Sequence, residues 1–197
     1  MGADASLGIM DVAREGEAWV AYMLGGLPGR IGIKLRTLYY RRRLAACGKA
    51  PIIAPGVRIA TPGKLSLGNR VGIGAGAFLT CDGGVTLGDF VGIGPGAKIW
   101  SVNHVFTDPD VPWRDQGWER KEVVIEEDAW IGAASFIMPG VRVGKGAIVS
   151  GGTVLAKSVP PYSIVAGNPG RVIGWRKKPE AGAQPPAGAS AAASESL

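Results

Sequence analysis

From Ile125 onward the chain reads in sixes: IEEDAW, IGAASF, IMPGVR, VGKGAI, VSGGTV, LAKSVP. The first place in each six is a branched aliphatic: Ile125, Ile131, Ile137, Val143, Val149 and Leu155. The fifth place is small or β-branched: Ala129, Ser135, Val141, Ala147, Thr153 and Val159. An amphipathic helix would repeat its apolar face every three to four residues, and a half-buried strand every two. A period of six describes a chain that runs straight, turns a corner and starts again. The pattern predicts a parallel β-helix of hexapeptide turns, with three sixes to each triangular coil. Ile125 then stacks under Val143, Ile131 under Val149 and Ile137 under Leu155. Aliphatics face into the prism, small residues sit near the corners, and glycine supplies the backbone freedom that corners need. No coil buries its inner face alone, so stability comes from stacking.

The lattice extends upstream with interruptions. Ile53, Ile59 and Leu65 are six apart, with Val57 at the fifth place. A slip of two follows, and Leu67, Ile73 and Leu79 resume the count with Val71 and Ala77 at their fifth places. Leu87, Ile93 and Ile99 are offset from that set by one regular coil and two further positions, which places an insertion at a bulged corner, Asp82-Gly83-Gly84. Val105 and Val111 fall on the lattice, but Pro109 and Asp115 are poor corner residues. The segment 103–122, NHVFTDPDVPWRDQGWERKE, is therefore expected to leave the prism as a loop of about 20 residues. Long excursions from a compact fold are usually functional or disordered. Trp113 and Trp118 argue for an ordered one. After Val159, Pro160-Pro161 block further ladder pairing, and Tyr162 to Ile173 is expected to cover the open end of the prism. The chain divides into an N-terminal segment 1–50, a solenoid 51–176 and a tail 177–197. From about Pro179 that tail is mostly Ala, Gly, Pro and Ser and is expected to be disordered.

Residues 1–16 read as polar and poorly ordered, and residues 17–27 as a short apolar helix ended by Pro28-Gly29. Residues 30–46 read as a second helix, with Ile31, Leu35, Leu38, Tyr39 and Leu44 among Arg30, Lys34, Arg36, Arg41, Arg42 and Arg43. The net charge is +6, and from Ala18 to Cys81 there is no Asp or Glu. Two readings stand for this basic amphipathic segment, taken over residues 30–49. It packs on the solenoid with a solvated basic face, or it lies against an anionic membrane surface. A nucleic-acid role is not expected, since no aromatic ladder or motif accompanies the charge. Asp4, Asp11, Glu15 and Glu17 break up any signal peptide, and no apolar run reaches the ~20 residues of a membrane span. Cys47 and Cys81 are too few for a disulfide framework and read as reduced thiols, consistent with a cytoplasmic protein.

The chemistry centres on His104, the one histidine, at the root of the excursion. A lone histidine is most often structural. This one lies where the lattice breaks, in a polar loop, and no other side chain here suits general-base work at neutral pH so well. A His₃ zinc site needs two more imidazoles, and no metal requirement is expected. GIGAGA (72–77) and GIGPGA (92–97) follow from the six-residue period and not from a dinucleotide fingerprint. Asp108-Pro109-Asp110 reads as a turn.

NHVFTDPD (103–110), VVIEEDAWIGA (123–133) and IMPGVRVGKGAIVSGGTVLAKSVPPYSIVAGNPGRVI (137–173) together resemble the hexapeptide acyltransferases of the galactoside, maltose and nodulation-factor O-acetyltransferase type. The resemblance spans roughly residues 53–176. Its basic, apolar N-terminal helix pair is similar in style to members that acetylate cell-surface polysaccharide or lipid-linked sugars. The resemblance implies an all-β, left-handed parallel β-helix that forms a homotrimer, with each active site between two prisms. It implies acetyl-CoA as co-substrate and a sugar or glycan as acceptor. His104 matches the catalytic base. Asp82 and Asn103 match acceptor-holding positions, although each also reads as a turn residue bonding its own backbone. Trp130, Ala133, Gly151, Ala156, Lys157 and Arg171 match the coenzyme groove. Ala156 stands where the family often has Thr, so a side-chain bond is lost there. Lys157 and Arg171 suit the coenzyme phosphates by charge. Trp130 reads equally as an outer-face aromatic covering its neighbour. An N-acyltransferase acting on an aminosugar or antibiotic amine, and a catalytically silent scaffold, are the alternatives.

Overall fold

The computed structural model describes residues 9–178. The expected tail lies outside the described residues apart from Lys177 and Lys178. Two helices, α1 (Ile9–Gly26) and α2 (Gly29–Arg41), precede a solenoid of short strands. α1 starts earlier than the sequence suggests. Ala13, Arg14, Glu15 and Glu17 are favourable helix residues, and Gly16 alone does not stop the helix.

Three parallel sheets form the walls. The first face runs through Ala46–Cys47, Leu65–Leu67, Val85–Leu87, Val123–Ile125 and Arg142–Val143. The second runs through Ile52–Ile53, Gly72–Ile73, Gly92–Ile93, Trp130–Ile131, Ile148–Val149 and Ser163–Ala166. The third runs through Arg58–Ala60, Phe78–Thr80, Lys98–Trp100, Phe136–Ile137 and Val154–Leu155. Each coil thus has a first corner (first face to second), a second corner (second to third) and a third corner (third to the first face of the next coil). The solenoid opens at Ala46, ahead of Ile53, where the aliphatic lattice becomes visible.

The register explains the slips. Val124 pairs with Arg142, its counterpart one regular coil of three sixes further on. Ser66 pairs with Ala46 on one side and Thr86 on the other, and both partners lie two positions beyond the regular spacing. The insertions sit at the third corner, in the 3₁₀ turn Pro62–Lys64 and at Asp82-Gly83-Gly84. Val124 pairs backward with Thr86 across one regular coil plus the whole excursion, so the loop has the length the period demands.

Inside the prism, Ile125, Ile131, Ile137, Val143, Val149 and Leu155 are buried, and so are the six fifth-place residues. Ser135 Oγ is satisfied there by donating to Ser150 O at 2.9 Å. Stacked corners approach closely: a Cβ on Gly132 would lie 2.5 Å from Gly151 N, so only glycine fits. Beyond the last full coil, Ser163–Ala166 joins the second sheet, and Arg171–Trp175 returns antiparallel along it, ending that sheet.

α2 packs on the first coil only partly with the side that the apolar count selects: of that count, Tyr39 and Leu44 lie against the core. Gly32, Arg36 and Tyr40 are buried, whereas Ile31, Leu35 and Leu38 are exposed. The cause is the end of α1, whose last carbonyls have no intrahelical partners and carry the negative pole of the helix. Arg36 Nη1 donates to Leu24 O at 2.9 Å and Leu27 O at 2.6 Å, and its Nε donates to Ile53 O at 3.1 Å. One guanidinium thereby ties both helices to the first coil. Gly32 permits the approach: a Cβ there would sit 2.1 Å from Leu27 O.

Candidate active site

The excursion leaves the third corner after Trp100 and re-enters at Val123. It is an ordered hairpin. Val102–His104 pairs antiparallel with Trp118–Arg120, with His104 opposite Trp118. Val105 N donates to Gly117 O at 3.1 Å, and Gly117 has a φ of 86°, which suits glycine. Gln116 holds the far end: its Nε2 donates to Asp108 O and Val111 O, each at 2.7 Å, and its Oε1 accepts from Asp108 N at 3.0 Å. Asp110 N donates to Asp108 Oδ1 at 3.0 Å, so Asp108-Pro109-Asp110 is a turn.

The hairpin sets His104 between two indoles. Its ring lies 3.6 Å from Trp118 by centroids, tilted 36°, and meets Trp113 edge-on at 4.5 Å. Nδ1 is buried without a hydrogen-bond partner among the described residues. Trp113 and Trp118 remain 53% exposed beside the imidazole, and the Arg114 guanidinium stands over the Trp113 ring at 5.9 Å. Thr80 Oγ1 and Trp100 Nε1, in register on the adjoining third face, are also buried without partners among the described residues. Other buried atoms of this kind lie elsewhere, Arg36 Nη2, Thr37 Oγ1 and Thr153 Oγ1 among them, so the grouping at this corner does not by itself define a site.

The other residues singled out in the sequence fall into two groups. Asp82 lies at the same corner one coil earlier. Its Oδ1 accepts from Thr61 Oγ1 at 3.0 Å, and its carbonyl accepts from Lys64 Nζ at 2.8 Å. Next to it, Gly83 N donates to Ser101 Oγ at 2.9 Å, and a Cβ on Gly83 would lie 2.2 Å from Ser101 O. The bulge is thus seated on the root of the hairpin. Asn103 Oδ1 accepts from His104 N at 3.0 Å, the local bond its residue type favours. Ala156 and Lys157 are exposed at this third corner, two coils further on.

Ala133 and Gly151 lie at the second corner, across the third face. They stack in successive coils, with Gly152 N donating to Ala133 O at 2.8 Å. Trp130 stands outward on the second face, 55% exposed, over Gly92, where it would touch an added Cβ at 3.4 Å. Arg171 is exposed where the chain returns beyond the last coil, its Nη1 donating to Gly170 O at 3.1 Å. One copy of the chain therefore does not bring Ala133 and Gly151 to His104. The aromatic partners of His104 are the part sequence reasoning did not assign. Their signal was present in two tryptophans within an excursion that the period marks out.

Comparison with known proteins places this geometry. Residues 122–157 match the family model described as bacterial transferase hexapeptide (six repeats). A chloramphenicol acetyltransferase of Escherichia coli is 46% identical over 52 residues, 26% of this chain and 25% of its own. A 2,3,4,5-tetrahydropyridine-2,6-dicarboxylate N-acetyltransferase of Staphylococcus aureus is 53% identical over 51 residues, 26% of this chain and 21% of its own. The matched region thus spans about a quarter of these curated relatives. Over most of the chain the likeness is one of fold. A hexapeptide-repeat acetyltransferase of Vibrio cholerae, solved with acetyl coenzyme A, superposes with a TM-score of 0.75 at 23% identity, covering 90% of this chain and 94% of that one. A maltose O-acetyltransferase of Clostridium difficile gives 0.73 at 21% identity, covering 87% and 90%. By its repeat over residues 122–157 and by its fold, the chain is similar to the hexapeptide-repeat transferases.

Proposed function

We propose that the protein is an acetyl-CoA-dependent O-acetyltransferase acting on a hydroxyl of a sugar or glycan, in the modification of cell-surface polysaccharide at the cytoplasmic side. The observation that carries this reading is His104: its Nδ1 is buried and its ring is held by two indoles, where the excursion interrupts the coil wall. An unassisted hydroxyl is a poor nucleophile at neutral pH. Nε2 takes the acceptor proton as the hydroxyl oxygen attacks the thioester carbon. The C–O bond forms, the resulting oxyanion is held by backbone N–H groups, and collapse breaks the C–S bond, the proton leaving on the thiol. The half-exposed faces of Trp113 and Trp118 suit the C–H face of a pyranose, with Asp82 and Asn103 on the same edge to orient it.

The donor side is Trp130, Ala133, Gly151, Ala156, Lys157 and Arg171. Small residues at 133 and 151 let a pantetheine arm lie against the backbone, and the two cations suit phosphate. The base occupies one corner of the triangle and Ala133 with Gly151 another. A homotrimer that sets the third corner of one copy against the second corner of the next completes the site. Acylation of an amine is the second reading, favoured by the likeness to the Staphylococcus aureus N-acetyltransferase.

The test is release of free thiol from acetyl-CoA with a panel of neutral sugars and aminosugars, comparing wild type with His104→Ala. We expect neutral sugars to be acetylated and the variant to lose a factor on the order of 10²–10⁴ in kcat/KM. Turnover of free amines alone would favour the second reading. Unchanged turnover in the variant would remove His104 from its role.

A further inference from the structure

The packing of α2 exposes an apolar surface. With Gly32, Arg36 and Tyr40 spent on the first coil, the opposite side of the helix presents Ile31, Leu35 and Leu38, spaced at four and three residues. α1 turns its own apolar side outward as well: Trp19, Tyr22 and Met23 are exposed, whereas Ala21, Leu24 and Gly25 are partly covered. Tyr22 and Ile31 are 78% and 74% exposed, far more than isolated surface apolar residues require. Arg30, Lys34 and Arg41 are exposed along one flank of the α2 stripe, and Arg42 follows at its end. At ~100° per residue the first three fall together on that flank.

We propose that this helix hairpin is an interfacial anchor that lies on an anionic phospholipid surface, its apolar side sunk to the level of the headgroups. Charge decides the occupant. No acidic residue stands between Ala18 and Cys81, so neither α2 nor the strands that follow it up to Cys81 supply a counter-charge to these cations. The acids of the hairpin, Asp11, Glu15 and Glu17, all belong to α1, so a second copy seated α2 to α2 would bring the same cations against one another. An anionic bilayer supplies both the apolar layer and the opposite charge, and Trp and Tyr beside an aliphatic stripe suit its boundary. Among the described residues no helix is long and apolar enough to cross a membrane, so the hairpin lies on the surface. Such an anchor would hold the solenoid where lipid-linked acceptors are displayed, but its binding does not depend on the acyl-transfer reading.

The experiment is flotation of the full chain with vesicles of mixed phosphatidylglycerol and phosphatidylcholine, against pure phosphatidylcholine, at low and high salt. We expect flotation with the mixed vesicles at low salt and its loss at high salt. The double variant Arg30→Gln/Lys34→Gln should partition about tenfold less or worse. Ile31→Ser/Leu35→Ser should also lose at least about tenfold, while its thermal midpoint stays at the wild-type value because both side chains are exposed. His104→Ala should float as wild type does, which separates this result from any failure of the catalytic reading. Absence of flotation at low salt, or flotation unchanged in both double variants, would overturn the proposal. So would a fall in oligomeric state of Ile31→Ser/Leu35→Ser in solution, which would make the face a contact between copies.

Discussion

At the scale of single residues, the imidazole of His104 is held by ring contacts with Trp113 and Trp118. One consequence follows from that geometry. Trp118→Ala removes the ring at 3.6 Å and frees the imidazole, the proposed base, to rotate. We expect kcat to fall roughly 10–100-fold, as for other misplacements of a reacting group, with Trp118→Phe recovering most of it. Steady-state kinetics on both variants checks this, and a change confined to KM would assign Trp118 to acceptor binding alone. Cys81 gives a pH-dependent case. Burial, helped by the neighbouring Asp82 charge, pushes its thiol from 9.0 up to about 12. The folded state therefore holds this proton more tightly than the unfolded chain does. The stability it contributes is complete below about pH 9 and is lost as pH rises toward about 12. In mildly alkaline solution an alkylating reagent should label the partly exposed Cys47 and spare Cys81 until the protein unfolds, as peptide mass mapping would show.

At the scale of elements, α2 shows where periodicity stops being informative. The count finds an apolar stripe and a basic one, but it cannot say which side a neighbour will claim. That choice came from the open carbonyls ending α1, which draw in Arg36, and from Gly32, which lets the helix approach. Arg36→Ala leaves the carbonyls of Leu24, Leu27 and Ile53 without this donor and opens a gap in a buried position. We expect a loss of about 2–4 kcal/mol, read by chemical denaturation, and faster proteolysis in α1 and α2 than in the solenoid. The excursion teaches the same lesson. Its length and limits were legible from the interrupted period. Its pairing, His104 opposite Trp118 across a hairpin, was not, because nothing local to either residue specifies a partner on the far arm of the loop.

At the scale of the molecule, stability resides in coils stacked on one another, so damage in the middle should be felt throughout. Ile131 is fully buried between Ile93 and Val149 in the second sheet. Ile131→Ala should cost about 2–5 kcal/mol and lower the unfolding midpoint of the whole solenoid in one transition. A change confined to a local event would contradict the stacked-coil account.

The period of six by itself determined the solenoid, its three faces, its inward aliphatics, the extra residues at Asp82-Gly83-Gly84 and the size of the excursion, because each depends only on spacing along the chain. It also isolated His104, since that residue has no competitor. The tertiary structure alone decided which side of α2 is buried, which rings hold the imidazole, and that Ala133 and Gly151 stand across a face from it. Those outcomes depend on which surfaces meet in space. A repeating sequence, alike at all three corners, carries no mark of that.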